Sequence, residues 1–203
     1  MILFVPEKRF KDDAMPDTAA EKLLTVAEFL GRYPPPGSNQ RWQLIDGRPV
    51  AMAPTTRRHR HLARRLVSAL NRRLTPPCEA EQEACIRPLR PRKPDSYYLA
   101  DVATSCVPLD DGTDTPDPVI VAEFLSSDDR KDRGAKLDDY RELPTVMAVL
   151  LFDQKLPRVE IHQRRADGSW PAQPVIAQGM DALMVLVAHN GLEIPLREIY
   201  QLG

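Results

Sequence analysis

An almost entirely apolar segment, residues 118–125, places the strongest constraint on how this chain of 203 residues can fold. Apolar side chains at nearly every position are typical of a strand that is buried on both faces of a sheet. A second strand of this kind is predicted at 146–152, and the segment between them, 130–143, has the pattern of a helix. We therefore expect an α/β (α+β) fold in which helices pack on the faces of a mixed sheet.

The segments before and after this region predict the rest of the sheet and its helices. Thr25 and Glu28 form the T-x-x-E pattern of a capping box, which begins a helix. The Asp46-Gly47 pair between two strand-like runs predicts a β-hairpin. A longer helix is expected at 59–74, where leucines recur every four residues (Leu62, Leu66, Leu70, Leu74). Further strands are expected at 83–89, 97–107, 158–163, 175–177 and 183–186.

Composition and the termini suggest one domain in the cytoplasm. Residues 1–20 are polar and lack periodicity, which predicts a flexible tail before a single domain at 21–203. The sequence contains no apolar run of about 18 residues, so we expect no membrane span. The three cysteines are scattered and form no CxxC pair, which favours free thiols in a reducing compartment and argues against structural zinc.

Charge is distributed unevenly along the chain, although the net charge is only -1. Seven arginines and no acid lie between residues 57 and 73, so the remainder carries about -8. Such a basic stretch is compatible with a polyanionic partner, and contacts from Arg57, Arg58, Arg60 and Arg64 to the phosphates of DNA are predicted. A solvated basic face of a helix accounts for the same charges equally well.

Two carboxylates lie in strands that are otherwise apolar. Glu123 shares one face of its strand with Val121 and Leu125, and Asp101 lies within the apolar segment 97–103. A buried carboxylate costs several kcal/mol unless it is paired, protonated or bound to a metal. One explanation is that Glu123 pairs with an arginine or that Asp101 caps the end of a strand. A site for a hard cation such as Mg²⁺ is the other.

Lys136 lies on the helix that follows the Glu123 strand. On a helical wheel it falls on the apolar side, whereas Asp138, Asp139 and Glu142 are expected to face water. Its ammonium group could therefore reach the carboxylates and stabilise negative charge there. Phosphate-binding glycine loops, G-x-S-x-G elbows and HExxH motifs are absent from the sequence, which argues against those classes of hydrolase.

Seen together, the motifs resemble the Uma-two family of restriction-endonuclease-like proteins in the PD-(D/E)XK superfamily, over about residues 24–202. The segments that carry the resemblance are LTVAEFL at 24–30, WQLIDG at 42–47, MAP at 52–54 followed by His59, LADV at 99–102, VAEFLS at 121–126, DRGAKL at 132–137 with Tyr140, and LEIPL at 192–196.

The resemblance implies a restriction-endonuclease-like core with an N-terminal helix and hairpin. It also implies that Asp101 and Glu123 hold the metal, Mg²⁺ or Mn²⁺. Lys136 would replace the lysine of the E-x-K motif, whose position is occupied by Leu125, and His59 matches a family histidine. The family has Glu where this chain has Gln43, so a third acidic ligand is replaced by an amide.

These observations favour a metal-dependent DNA endonuclease that hydrolyses phosphodiester bonds. The alternative is a catalytically degenerate module that binds nucleic acid or protein on the same fold, which the amide of Gln43 favours. A structural or dimerising protein is the third hypothesis, with the apolar segment 180–188 as the contact of a possible homodimer.

Overall fold

The fold is described from a computed structural model, which covers residues 22–91, 93–125 and 133–201, with the side chains of 133–135 left out. Residues 1–20, expected to be a tail, lie outside this range. Helices are α1 (Val26–Leu30), α2 (Arg57–Asn71), α3 (Arg133–Glu142) and α4 (Arg197–Tyr200). Strands are β1 (Trp42–Ile45), β2 (Arg48–Ala51), β3 (Glu79–Ile86), β4 (Tyr98–Ser105), β5 (Ile120–Leu125), β6 (Ala148–Asp153), β7 (Arg158–Gln163), β8 (Val175–Gln178), β9 (Leu183–Leu186) and β10 (Leu192–Pro195).

A six-stranded mixed sheet with the order β3-β4-β5-β6-β7-β8 forms the centre of the fold. Its neighbouring strands are antiparallel except for β5 and β6, which run parallel. A parallel pair needs a crossover connection rather than a tight turn, and α3 lies in that connection. The expected mixed sheet with flanking helices is confirmed.

Helices cover both faces of this sheet, which explains why β5 and β6 are apolar along most of their length. On one face, Leu62, Leu66 and Leu70 of α2 are completely buried, together with residues of α4 and of the β9–β10 hairpin. On the other face, Tyr140 of α3 and the nearby Leu143 pack against the sheet. Each leucine buried in this way contributes about 1.5–3 kcal/mol relative to an exposed one.

The N-terminal helix and hairpin form a third apolar cluster beside the sheet. The capping box of Thr25 and Glu28 is present at α1. Asp46 and Gly47 both have positive φ, as the predicted two-residue turn requires. Leu44 of β1 exchanges backbone hydrogen bonds with Tyr97, both of 2.9 Å, and this pairing attaches the hairpin to the start of β4.

Several predicted boundaries differ from those observed. The helix expected at 59–74 begins at Arg57, because the Thr56 side chain caps it by accepting a hydrogen bond from the His59 amide at 3.1 Å. The strand expected at 83–89 begins at Glu79. Strand β10 and helix α4 were not predicted, because each is only four residues long and too short for a clear period.

The expectation that the cysteines are unpaired is wrong for two of them. Cys78 and Cys106 form a disulfide, whereas Cys85 is free. In the β3–β4 ladder Glu79 pairs with Ser105, so the two cysteines are the next residues beyond that pair. Antiparallel register therefore brings together two residues that are 28 positions apart in sequence.

Asp139 was expected to face water and is instead buried, with only 2% of its side chain exposed. Its Oδ1 lies 3.2 Å from the Nε of Arg90, and its other oxygen accepts a hydrogen bond from the Tyr98 hydroxyl. Position on the helical wheel did not reveal this burial, because Arg90 and Tyr98 cover the side of α3 that the wheel assigned to water.

The apolar segment at 180–188 is divided between core and surface. Met184 and Leu186 are completely buried, whereas Leu183 and Val185 alternate with them and are about half exposed. Its role in a homodimer stays a prediction. No helix in the described ranges has the length and apolar character needed to cross a membrane.

Candidate active site

The site is built where the ladder between β4 and β5 opens. Pairing between the two strands runs from Thr104 and Ile120 to Val102 and Ala122. Asp101 and Glu123 are the next residues on their strands, at the point where this pairing stops. Strand register thus places two acids next to each other on neighbouring strands of the central sheet.

Asp101 is held by a backbone amide and by a histidine. Its Oδ2 accepts a hydrogen bond of 2.7 Å from the amide of Phe124, a donor freed by the open ladder. Its Oδ1 lies 2.9 Å from Nε2 of His59, which the first turn of α2 presents to the sheet. Only 14% of the Asp101 side chain is exposed.

Gln154, directly after β6, fixes the histidine. Its Nε2 donates 2.8 Å to the carbonyl of Phe124 and lies 3.3 Å from Nδ1 of His59. An amide nitrogen can only donate, so Nδ1 of His59 accepts and Nε2 carries the proton that is donated to Asp101. The arrangement leaves Asp101 as an acceptor, with lone pairs available for a further ligand.

Glu123 is held by two residues of α3. Its Oε1 accepts a hydrogen bond of 2.8 Å from the Tyr140 hydroxyl and lies 3.5 Å from Nζ of Lys136. Burial raises the pKa of Glu123, the positive charge of Lys136 opposes this change, and the negative charge of Asp101 adds to it. The raised pKa shows that burial and Asp101 together outweigh the lysine.

Lys136 and Tyr140 support the carboxylate from α3. Nζ of Lys136 lies 5.4 Å from the centre of the Tyr98 ring, within the range of a cation–π contact. Burial and the charge of Glu123 hold the pKa of Tyr140 well above its ordinary value, so its hydroxyl stays protonated and donates.

This arrangement fits a divalent cation. Two neighbouring, largely buried carboxylates carry more negative charge than one lysine neutralises. Burial is the main cause of the raised pKa of Glu123, and the charge of Asp101 adds to it. A cation between them would favour the ionised form of both acids. Magnesium prefers a few carboxylate oxygens together with water, which two acids at an open ladder can provide.

Gln43, the residue in place of the family's glutamate, lies on β1. Its Oε1 is buried and has no hydrogen-bond partner within the described part of the chain. A buried amide oxygen without a partner costs about 1–3 kcal/mol. Its contribution to the site stays a prediction.

The basic segment of α2 is only partly a free surface. Arg57, Arg60 and Arg64 are exposed, whereas Arg58 is half-buried and donates to the backbone carbonyls of Gln154 and Lys155. Three further arginines of the segment, Arg65, Arg72 and Arg73, bind Glu198 through its carbonyl or its carboxylate. Their positive charge is therefore used to hold α4 against α2.

The structure brings together Asp101, Glu123, Lys136 and His59, and it adds two residues that sequence reasoning did not assign to the site. Tyr140 had been named only among the segments that carry the family resemblance. Gln154 had no assigned role. Its one available signal was its position directly after the buried strand that neighbours the Glu123 strand.

Two comparisons with known proteins each found a similarity to proteins described as nucleases. The model of the Uma2 family, which is described as "Putative restriction endonuclease", matches residues 26–197. A similar fold occurs in the crystal structure of a "putative nuclease belonging to DUF820" from Anabaena variabilis ATCC 29413, with a TM-score of 0.63 and 18% sequence identity. The match covers 88% of this chain and 98% of that chain, and at this identity it shows the fold alone. No curated protein matches the chain.

Proposed function

This chain belongs to the Uma2 family, and on that premise we propose that it is a metal-dependent endonuclease that hydrolyses the phosphodiester bonds of DNA. One observation supports the proposal above all others. Asp101 and Glu123 lie next to each other on neighbouring strands, both largely buried, with Nζ of Lys136 3.5 Å from Glu123, so that a divalent cation would offset the excess negative charge.

Asp101 and Glu123 would hold Mg²⁺ or Mn²⁺. The bound ion would supply an activated water and neutralise charge on the phosphate under attack. His59 orients Asp101 by donating to its Oδ1. Tyr140 does the same for Glu123. Lys136 adds a compact positive charge next to the carboxylate, where it can orient water or stabilise charge that develops on the phosphate.

DNA would approach along α2. The three exposed arginines, Arg57, Arg60 and Arg64, have spacings of three and four residues, so they lie on one side of the helix. His59 lies within this segment and contacts Asp101. Phosphates bound by these guanidinium groups would lie on the solvent side of the helix that carries His59. Contacts of this kind give affinity without sequence specificity. We place this activity in the cytoplasm.

Cleavage of supercoiled plasmid in the presence of Mg²⁺ or Mn²⁺ tests the proposal. Wild type should nick or linearise the DNA, and chelation of the metal should stop the reaction. Asp101→Asn and Lys136→Met should each lower the rate by about 10²–10³-fold, as removal of one transition-state contact does in other hydrolases. Glu142→Gln, an exposed acid on α3, is the matched control and should cleave as wild type does.

The second candidate is a module that binds DNA without cleaving it. The unpartnered Oε1 of Gln43 favours this candidate, because an amide there supplies less charge than a carboxylate. DNA binding by wild type with no cleavage under any metal would support the module and contradict the endonuclease. Cleavage that is lost in Asp101→Asn would exclude the module.

A further inference from the structure

A group of sulfur and nitrogen atoms lies away from the acidic site, at the other end of β4. Cys78 precedes β3 and Cys106 follows β4, and the ladder aligns them across the end of the two strands. Cys106 is five residues from Asp101, about 17 Å along an extended strand. The two regions are therefore separate.

His189 is brought to the same place by the short 3₁₀ turn Ala188–Asn190 that follows β9. Its Nδ1 lies 3.7 Å from Sγ of Cys106. One ligand atom from each of Cys78, Cys106 and His189 lies within 4.8 Å of the other two. All three side chains are half-buried, so the group is shielded and still accessible from solvent.

The other nitrogen of this imidazole is anchored. Nε2 of His189 lies 3.0 Å from the hydroxyl of Thr104, which is completely buried and accepts a hydrogen bond of 3.1 Å from the Ile120 amide. Histidines that bind metals almost always donate their second N–H to such a partner, which fixes the ring and the tautomer. With Nε2–H donated to Thr104, the lone pair of Nδ1 points at the sulfurs.

The backbone around His189 adopts an uncommon conformation. His189 and Asn190 have φ values of 52° and 65°, both in the left-handed region. Non-glycine residues reach this region at a cost of about 1–3 kcal/mol, and such residues are concentrated at ligand sites. The conformation directs the imidazole of His189 towards the cysteines.

We propose that Cys78, Cys106 and His189, once the disulfide is reduced, form a three-ligand site for Zn²⁺. Two thiolates and one imidazole match the preference of zinc for sulfur and nitrogen, and a water completes the tetrahedron. The absence of a CxxC pair does not argue against the site, because its ligands come from three distant parts of the chain. The ion would join the β3–β4 end to the turn after β9.

Loading requires a reductant and releases protons. A thiol reductant breaks the Cys78–Cys106 bond, delivers two electrons and two protons, and becomes a disulfide itself. Zinc then binds the two sulfurs, and both thiol protons pass to solvent. In its oxidised form the chain has no thiolate to offer at this site.

Cobalt(II) titration of the full chain tests the proposal without a nucleic acid. Fully reduced wild type, freed of reductant under anaerobic conditions, should bind one Co²⁺ per chain through thiolates, in addition to any ion at the acidic site. The thiolate-to-cobalt charge-transfer band and the visible bands of tetrahedral cobalt should appear, and Zn²⁺ should displace the ion. Oxidised wild type should show neither band. This comparison uses one unmutated sequence, so it does not depend on the folding of a variant.

Variants assign the ligands. The bands should be lost in Cys78→Ser and Cys106→Ser and kept in Cys85→Ser, which removes the free cysteine and is the matched control. Thr104→Val should weaken metal binding by about 10–100-fold, the usual effect of losing the partner that orients a histidine. Glu123→Gln should leave the bands unchanged, which separates this site from the acidic one. The proposal would be overturned if reduced wild type showed no charge-transfer band. It would also be overturned if the band survived in the double variant that carries both Cys78→Ser and Cys106→Ser.

Discussion

Replacement of Glu123 by glutamine should have opposite effects on the metal-free and metal-bound protein. At neutral pH, Glu123 is buried beside Asp101, and its raised pKa means that the fold accommodates a neutral side chain better than a charged one. The glutamine oxygen can still accept the hydrogen bond from Tyr140. Without metal, the Tm of Glu123→Gln should therefore equal or exceed that of wild type.

With metal the order should reverse. An ion at about 100 times its Kd stabilises the folded state by about 2.7 kcal/mol. In a chain of this size, about 2–4 °C of Tm corresponds to each kcal/mol, so Mg²⁺ should raise the Tm of wild type by about 5–11 °C. Glu123→Gln loses one of two carboxylate ligands and should lose most of that rise.

Differential scanning fluorimetry at several Mg²⁺ concentrations measures both effects. Asp101→Asn should lose the metal response as Glu123→Gln does. Glu142→Gln removes an acid from the exposed side of α3 and should keep the full response. If Glu123→Gln kept the Mg²⁺-dependent rise in Tm, or melted well below wild type without metal, the reasoning from the buried carboxylate pair would be refuted.

Three other predictions concern pH, positioning and stability. Because burial raises the pKa of Glu123, the free energy of unfolding without metal should decrease as pH rises from the ordinary carboxyl pKa through the raised one. The affinity for Mg²⁺ should increase over the same pH range. Glu123→Gln should remove both pH dependences, which chemical denaturation and titration calorimetry measure. Gln154→Ala should lower the cleavage rate by releasing the ring of His59, with little change in Tm. Gln154→Glu should also cleave more slowly than wild type, because a carboxylate cannot donate a hydrogen bond to Nδ1. Asp139→Ala leaves buried Arg90 with Asp46 as its remaining described carboxylate partner and removes the acceptor of the Tyr98 hydroxyl, so it should cost about 1–3 kcal/mol in urea unfolding; no measurable loss would contradict the buried pair.

The sequence predicted those parts of the site that conflict with their local surroundings. Asp101 and Glu123 stood out because they interrupt apolar strands, and Lys136 because it falls on the apolar side of a helix. The central elements were also predictable, since β5, β6 and α2 have strong hydrophobic patterns. Those patterns predicted a mixed sheet with flanking helices, which the structure confirms.

Features that depend on contacts between distant segments were not predictable from local pattern. Gln154 is an unremarkable polar residue until β6 is placed beside β5. The pairing of Cys78 with Cys106 depends on the β3–β4 register, which spacing in the sequence does not give. Asp139 was assigned to water because a helical wheel records the periodicity of one helix and contains no information on Arg90.

The two acids and the lysine belong to different kinds of element, and this difference has a consequence for control of the site. Asp101 and Glu123 are fixed by neighbouring strands, whereas Lys136 is carried by α3, the crossover between β5 and β6. A shift of that helix by one residue, about 1.5 Å along its axis, would withdraw the ammonium group while both carboxylates stayed in place. The cleavage rate therefore depends on the position of α3, and substitutions of residues that pack against this helix can change the rate without contacting substrate.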